Sequence, residues 1–136
     1  MKFKLKKIKS DASFREFYRL HKGKKTSIIV TAKKEKFKNL IAYSAINKFL
    51  KTKGIHTPRL FSQHFEEGIM EIEDFGHKTL LDYVKQSKNK LSLYKKCVNI
   101  ILRIQKIKPT RKIKLDSKKH FNLDIRNYGS LEKIFK

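Results

Sequence analysis

Cysteine is nearly absent. Cys97 is the single thiol among 136 residues, so no intramolecular disulfide can form, and a reducing, cytosolic setting is the simple reading. Long apolar runs are missing too. The basic stretch Met1-Lys2-Phe3-Lys4-Leu5-Lys6-Lys7 leads into no apolar segment, which argues against a signal peptide, and no run approaches a membrane span; no membrane insertion is expected. Acidic residues are scarce: 12 Asp and Glu stand against 35 Lys and Arg, a formal charge of +23. Arginine is scarce as well, with six, so the other 29 basic residues are Lys. Arg is the planar fork favoured for phosphate and base recognition, whereas Lys is a hydrated point charge. The lysines run along the whole chain and read as compositional bias more than a localised nucleic-acid patch. Non-specific attraction to polyanions that weakens with salt is still expected. The length fits one domain.

What is present falls into an ordered pattern. Phe3, Leu5 and Ile8 sit among lysines as a weak strand or short helix. Residues 14–20 carry Phe14, Phe17, Tyr18 and Leu20 and read as a strand. A polar turn containing Gly23 follows, then the β-branched run Ser27-Ile28-Ile29-Val30-Thr31-Ala32. Apolar residues at helical spacing predict a helix over residues 36–53, stopped by Gly54 with Pro58 just beyond. Residues 59–65 and 68–73 read as two strands joined by Glu66-Glu67-Gly68. Beyond a soft boundary near Gly76 the pattern turns helical: Thr79 can cap a short helix through Lys85. A second amphipathic helix spans residues 93–107, with Leu93, Cys97, Ile100, Ile101 and Ile104 on its apolar side, and Pro109 ends it. Residues 110–119 are polar and poorly patterned. The scattered His21, His56, His64 and His77 lack metal-ligand spacing, and Cys97 reads as a core residue.

Three stretches match a known pattern in order and spacing. They are Ser10-Asp11-Ala12-Ser13-Phe14-Arg15 with Tyr18-Arg19; Gly54-Ile55-His56-Thr57-Pro58-Arg59-Leu60; and Gly68-Ile69-Met70-Glu71-Ile72-Glu73-Asp74-Phe75-Gly76 with Thr79-Leu80. Across residues 8–107 the chain resembles the aminoglycoside phosphotransferase superfamily of the protein-kinase-like fold. The nearest resemblance is to sugar kinases that phosphorylate N-acetylmuramate or N-acetylglucosamine at the anomeric position. This resemblance implies an α+β fold. An ATP-binding N-lobe, an antiparallel sheet with one packed helix, would take residues 1–75, and a hinge with two helices of a partial, mainly helical C-lobe would take residues 76–136. ATP and Mg²⁺ are the implied cofactors, and a sugar hydroxyl the implied acceptor once a C-lobe is complete.

The resemblance also assigns residues. Ser10, Asp11, Ala12, Ser13, Phe14 and Arg15 would form the turn over the ATP phosphates, where backbone N–H groups and small hydroxyls approach closely and Arg15 adds charge. On those six residues alone an ordinary polar hairpin turn is the better reading. A protein kinase carries a phosphate-pairing Lys within its third strand; here the strand has none, and Lys33 and Lys34, just after it, are the candidates. Glu73, Asp74 and Phe75 would offer backbone groups to adenine. A strand entering an acidic loop would read the same way, but the position after four matching elements favours a hinge.

The catalytic half is not found. His120-Phe121-Asn122-Leu123-Asp124-Ile125-Arg126-Asn127 echoes a catalytic loop in His120 and Asn127, yet Asn122 stands where an Asp is needed, and an amide cannot act as a base. These residues read as a chance or degenerate echo, with a pseudokinase remnant as runner-up. No catalytic residue and no metal ligand is assigned. The chain alone is expected to be inactive, cut short before the catalytic residues. It is also expected to expose apolar surface that favours self-association or a complementary C-lobe chain. The competing classes are a Lys-rich module for nucleic acid or anionic surfaces, without a nucleotide pocket, and a regulatory pseudokinase lobe that docks on another protein.

Overall fold

Short alternating runs joined by tight turns build the first half of the protein. The computed structural model describes residues 3–9, 14–33, 38–108, 110, 112–116 and 119–122. Strands β1 (Phe3–Ile8), β2 (Arg15–Lys22) and β3 (Lys25–Ala32) form an antiparallel meander. Gly23 opens the two-residue turn between β2 and β3 at φ 62°, a conformation natural to glycine. Helix α1 (Lys38–Thr52) follows, then β4 (Leu60–His64), a 3-10 turn (Phe65–Glu67) and β5 (Ile69–Glu73). The five-stranded sheet has the order β1-β2-β3-β5-β4, with every neighbouring pair antiparallel. This α+β arrangement is consistent with a kinase-like N-terminal lobe.

Register decides which side chains meet. Ile8, Phe17, Val30 and Met70 lie in one cross-strand row, and α1 closes over it through Leu40 and Tyr43. Val30, Leu40 and Met70 are buried, with Ile28 and Ile72 beside them. Burying side chains of this size contributes about 1.5–3 kcal/mol each. Two buried polar groups of α1 are satisfied: Ser44 Oγ donates to Gln63 Oε1, and Asn47 Nδ2 donates to the Pro58 carbonyl at 3.0 Å. Gly54 ends the helix at φ 72°, where the Ile55 N–H bonds the Leu50 carbonyl. At Gly68 the backbone approaches β3 so closely that an added Cβ would lie 2.2 Å from the Ala32 oxygen. The Gly68 carbonyl there accepts the Ala32 N–H at 2.8 Å.

The second half is looser. Helix α2 (Leu80–Gln86) begins with the predicted Thr79 cap, completed as a capping box by Asp82. Helix α3 (Lys90–Gln105) starts earlier than its apolar spacing suggests because Asn89 Oδ1 accepts the Ser92 N–H at 3.0 Å. Neither helix buries a residue. Cys97 is therefore half-buried instead of core, and Ile100, Ile101 and Ile104 on the same apolar side of α3 are exposed. No described helix is long and apolar enough to cross a membrane. A further difference lies after α3. Strands β6 (Lys112–Asp116) and β7 (Lys119–Asn122) pair as an antiparallel hairpin, and Ile113 is buried against Ala45, with Ile41 and Phe49 alongside. The alternation in Lys112-Ile113-Lys114-Leu115-Asp116 carries that strand; the surrounding lysines hid it.

Candidate functional site

The edge where β5 leaves the sheet is fixed by charge. Along β5 the even positions Met70 and Ile72 face the core, and Asp74 continues that parity. Its carboxylate turns inward onto Arg19 of β2. Arg19 Nε donates to Asp74 Oδ2 at 2.7 Å and Nη2 donates to Oδ1 at 3.1 Å, a two-pronged pair. The same Nη2 donates to the Gly76 carbonyl at 2.8 Å, and the Gly76 N–H donates to Asp74 Oδ1 at 2.9 Å. The Asp74 side chain is only 3% exposed and that of Arg19 21%. Burial pushes the Asp74 carboxyl up, but Arg19, the Gly76 amide and Thr26 outweigh it and hold the carboxyl below its ordinary range.

A second network braces the opposite face. Glu71 accepts from Ser27 Oγ at 2.6 Å and from Lys22 Nζ at 2.9 Å. Burial raises its carboxyl and these two donors lower it, with the donors prevailing. Beside the exit of β5, the His56 ring stacks on Phe75, with centroids 5.3 Å apart and planes 16° from parallel. Glu73 Oε2 accepts the Arg59 N–H at 3.0 Å, and the Glu73 N–H donates to the Arg59 carbonyl at 2.8 Å.

The far end of β2 carries the other candidate residues. Arg15 sits on the inner face, its guanidinium 5.9 Å from the Phe17 ring centre and 5.9 Å from that of Tyr43. Burial raises the Tyr43 hydroxyl above its ordinary value, opposed by Asn47 and by the Arg15 charge. A cavity of about 360 Å³ opens there, lined by Phe14, Arg15, Asn39, Tyr43, Asn47 and Pro58 among others. Arg15 and Arg19 share one face of β2, four residues and thus about 13 Å apart at the usual strand rise.

The sequence-predicted residues divide as follows. Phe14 and Arg15 lie at the start of β2, while Ser10, Asp11, Ala12 and Ser13 lie outside the described residues. Lys33 is exposed and its charge helps lower the Glu16 carboxyl, which puts it by the outer face, away from Arg15; Lys34 lies outside the described residues. Glu73, Asp74 and Phe75 stand together where β5 ends. His120 and Asn122 lie in β7, paired with Lys114 and Lys112, and Asn127 lies outside the described residues. Sequence reasoning missed the role of Arg19 and the stacking of His56. Two Arg residues on one face of a single strand, Arg15 and Arg19, in a chain with six were the available signal for the first. Among the described residues no group of three or more His, Cys, Asp or Glu side chains could hold a metal ion.

No protein-family model matches the chain. A curated relative, the N-acetylmuramate/N-acetylglucosamine kinase of Pseudomonas aeruginosa, is 28% identical over 98 residues, which cover 72% of this chain and 28% of the relative's length. The similarity is to a kinase, and it spans under a third of that protein.

Proposed function

We propose that the sheet and α1 form the nucleotide-binding lobe of an aminoglycoside-phosphotransferase-like sugar kinase. In this reading adenine lies against the backbone of Glu73, Asp74 and Phe75. Gly76 is left out, because both its N–H and its C=O are already engaged. The phosphates run along β2 towards residues 10–13 and Arg15. Lys33 and Lys34 remain secondary phosphate partners, since Lys33 lies by the outer face. The observation that carries the reading is the single inner face of β2, with Arg19 fixing the exit of β5 at one end and Arg15 presenting a cation at the other. That spacing suits an extended nucleoside triphosphate. The strand order and the 28% identity to a sugar kinase support it.

ATP supplies the phosphoryl group in such kinases, with Mg²⁺ neutralising charge on the phosphates. The described residues do not offer a metal cluster, so the metal is given no ligand in this part of the protein. What these residues do is bind and orient: the backbone past β5 reads the base, and Arg15 attracts phosphate oxygens. A sugar hydroxyl is the proposed acceptor, and further protein surface, from a complementary chain or a second copy, would be needed to hold it. The cytoplasm is the proposed location.

Titration with Mg·ATP and, separately, with a short DNA duplex at several salt concentrations tests the reading. Saturable ATP binding that persists at moderate salt is expected. Binding to DNA alone, with a steep salt slope, would instead favour the Lys-rich polyanion module that the +23 charge allows.

A further inference from the structure

Residues 74–76 lie beyond the last ladder pair of β5, Ser27 with Glu73. Among the described residues no strand partner holds their backbone. What holds it is a set of side-chain contacts centred on one guanidinium, with Phe75 stacked on His56 beside it. Arg19 reaches from the middle of β2 to the Asp74 carboxylate and the Gly76 carbonyl, and the same carboxylate takes the Gly76 N–H. With the Thr26 side chain, which also bonds the Asp74 carboxylate, the set joins three side chains to the Gly76 backbone. A buried ion pair is a poor choice for stability alone, because well-packed apolar residues of similar volume serve as well or better. Its distinctive product is geometry: a planar fork fixes both the direction and the distance of its acceptors. Gly76 at φ 89° then turns the chain away.

We infer that Arg19 and Asp74 are positioning residues for the base of the bound nucleotide, acting by holding the 73–75 backbone in place. This rests on the nucleotide-lobe reading. Neither side chain touches the base in this arrangement: the Asp74 carboxylate is spent inward, and Nε and Nη2 of the guanidinium are engaged by Asp74 and Gly76. The pair therefore serves the base and not the phosphates, which lie at the Arg15 end of β2. Lys in place of Arg19 keeps the charge but loses the fork, so it cannot hold both acceptors in one plane.

The test compares the full chain with Asp74→Asn and Arg19→Lys, each first checked for folding by far-UV circular dichroism. Two ligands are titrated at moderate salt: Mg·ATP, and Mg·tripolyphosphate, which has no base. Amide hydrogen exchange over residues 73–76 is measured without ligand. Both variants should bind ATP about tenfold or more weakly, as expected for disturbing hydrogen bonds to charged groups. Tripolyphosphate should stay within about twofold of the parent chain, and exchange over 73–76 should quicken about tenfold. Unchanged ATP affinity, or equal losses for both ligands, would overturn the inference. If the parent chain binds no ATP, the nucleotide-lobe reading falls. The exchange comparison then decides alone whether the pair orders this backbone, and unchanged exchange would overturn that too.

Discussion

Replacing Gly68 by Ala should unfold the protein far more readily than the same change at Gly23, and the difference is calculable. Both glycines have positive φ, 69° and 62°. Left-handed backbone costs a residue with a Cβ roughly 1–2 kcal/mol, and that term is common to both. The surroundings differ. A Cβ at Gly23 meets nothing within 4 Å, whereas one at Gly68 lies 2.2 Å from the Ala32 oxygen. Backbone has to move there, at a cost of about 1–3 kcal/mol for overpacking. The movement also strains the Ala32 N–H to Gly68 bond, worth about 1 kcal/mol. Gly68→Ala should therefore cost about 3–6 kcal/mol and Gly23→Ala about 1–2. Urea denaturation followed by circular dichroism reads both, with the slope expected to stay constant while the midpoint falls. Equal losses within about 0.5 kcal/mol would refute the claim that close approach of β3 to the β4–β5 turn fixes Gly68.

Other expectations follow from the same contacts. The carboxyls of Asp74 and Glu71 titrate below their ordinary values of 3.8 and 4.5 in the folded protein, so the unfolded chain takes up those protons first as pH falls. Their stabilisation is complete above the ordinary values and is lost as pH drops through the folded ones; urea midpoints of Asp74→Asn and Glu71→Gln should vary less than the parent's below about pH 4.5, and parallel curves would contradict this. Leu40→Ala removes a side chain with no exposure and should cost about 2–5 kcal/mol in a urea titration, whereas a loss under about 1 kcal/mol would mean that α1 does not seal the sheet. Thr79→Ala breaks the capping box and should cost about 1 kcal/mol of local helix stability, read as faster amide exchange over residues 80–83, with unchanged exchange refuting the cap.

The elements of the first half were legible because each carries its own period and punctuation. Ile28 to Thr31 is β-branched throughout, α1 repeats at helical spacing up to Gly54, and Thr79 announces α2. Register was not legible: nothing local says that Arg19 would share a row with Ile28 and Ile72, and so come within reach of Asp74. That contact spans 55 residues, and the side-chain role of Asp74 depends on it, although its place at the end of β5 was expected. The hairpin of β6 and β7 was missed because Lys dominates its composition; Ile113, buried against Ala45, ties it to α1. The apolar stripe of α3 was read correctly as amphipathic, but a stripe does not reveal whether anything covers it. Among the described residues Leu91, Val98 and Ile101 remain about half or more exposed.

The central claim is that a nucleotide lies along the inner face of β2 with its base at the end of β5. Amide NMR spectra of the chain recorded during addition of Mg·ATP at moderate salt test it most directly. The account predicts saturable shifts that map to residues 73–75 and to Arg15 and its neighbours on β2, with little change along α3. Shifts scattered over the lysine-rich surface that vanish as salt is raised, with residues 73–75 unmoved, would contradict it.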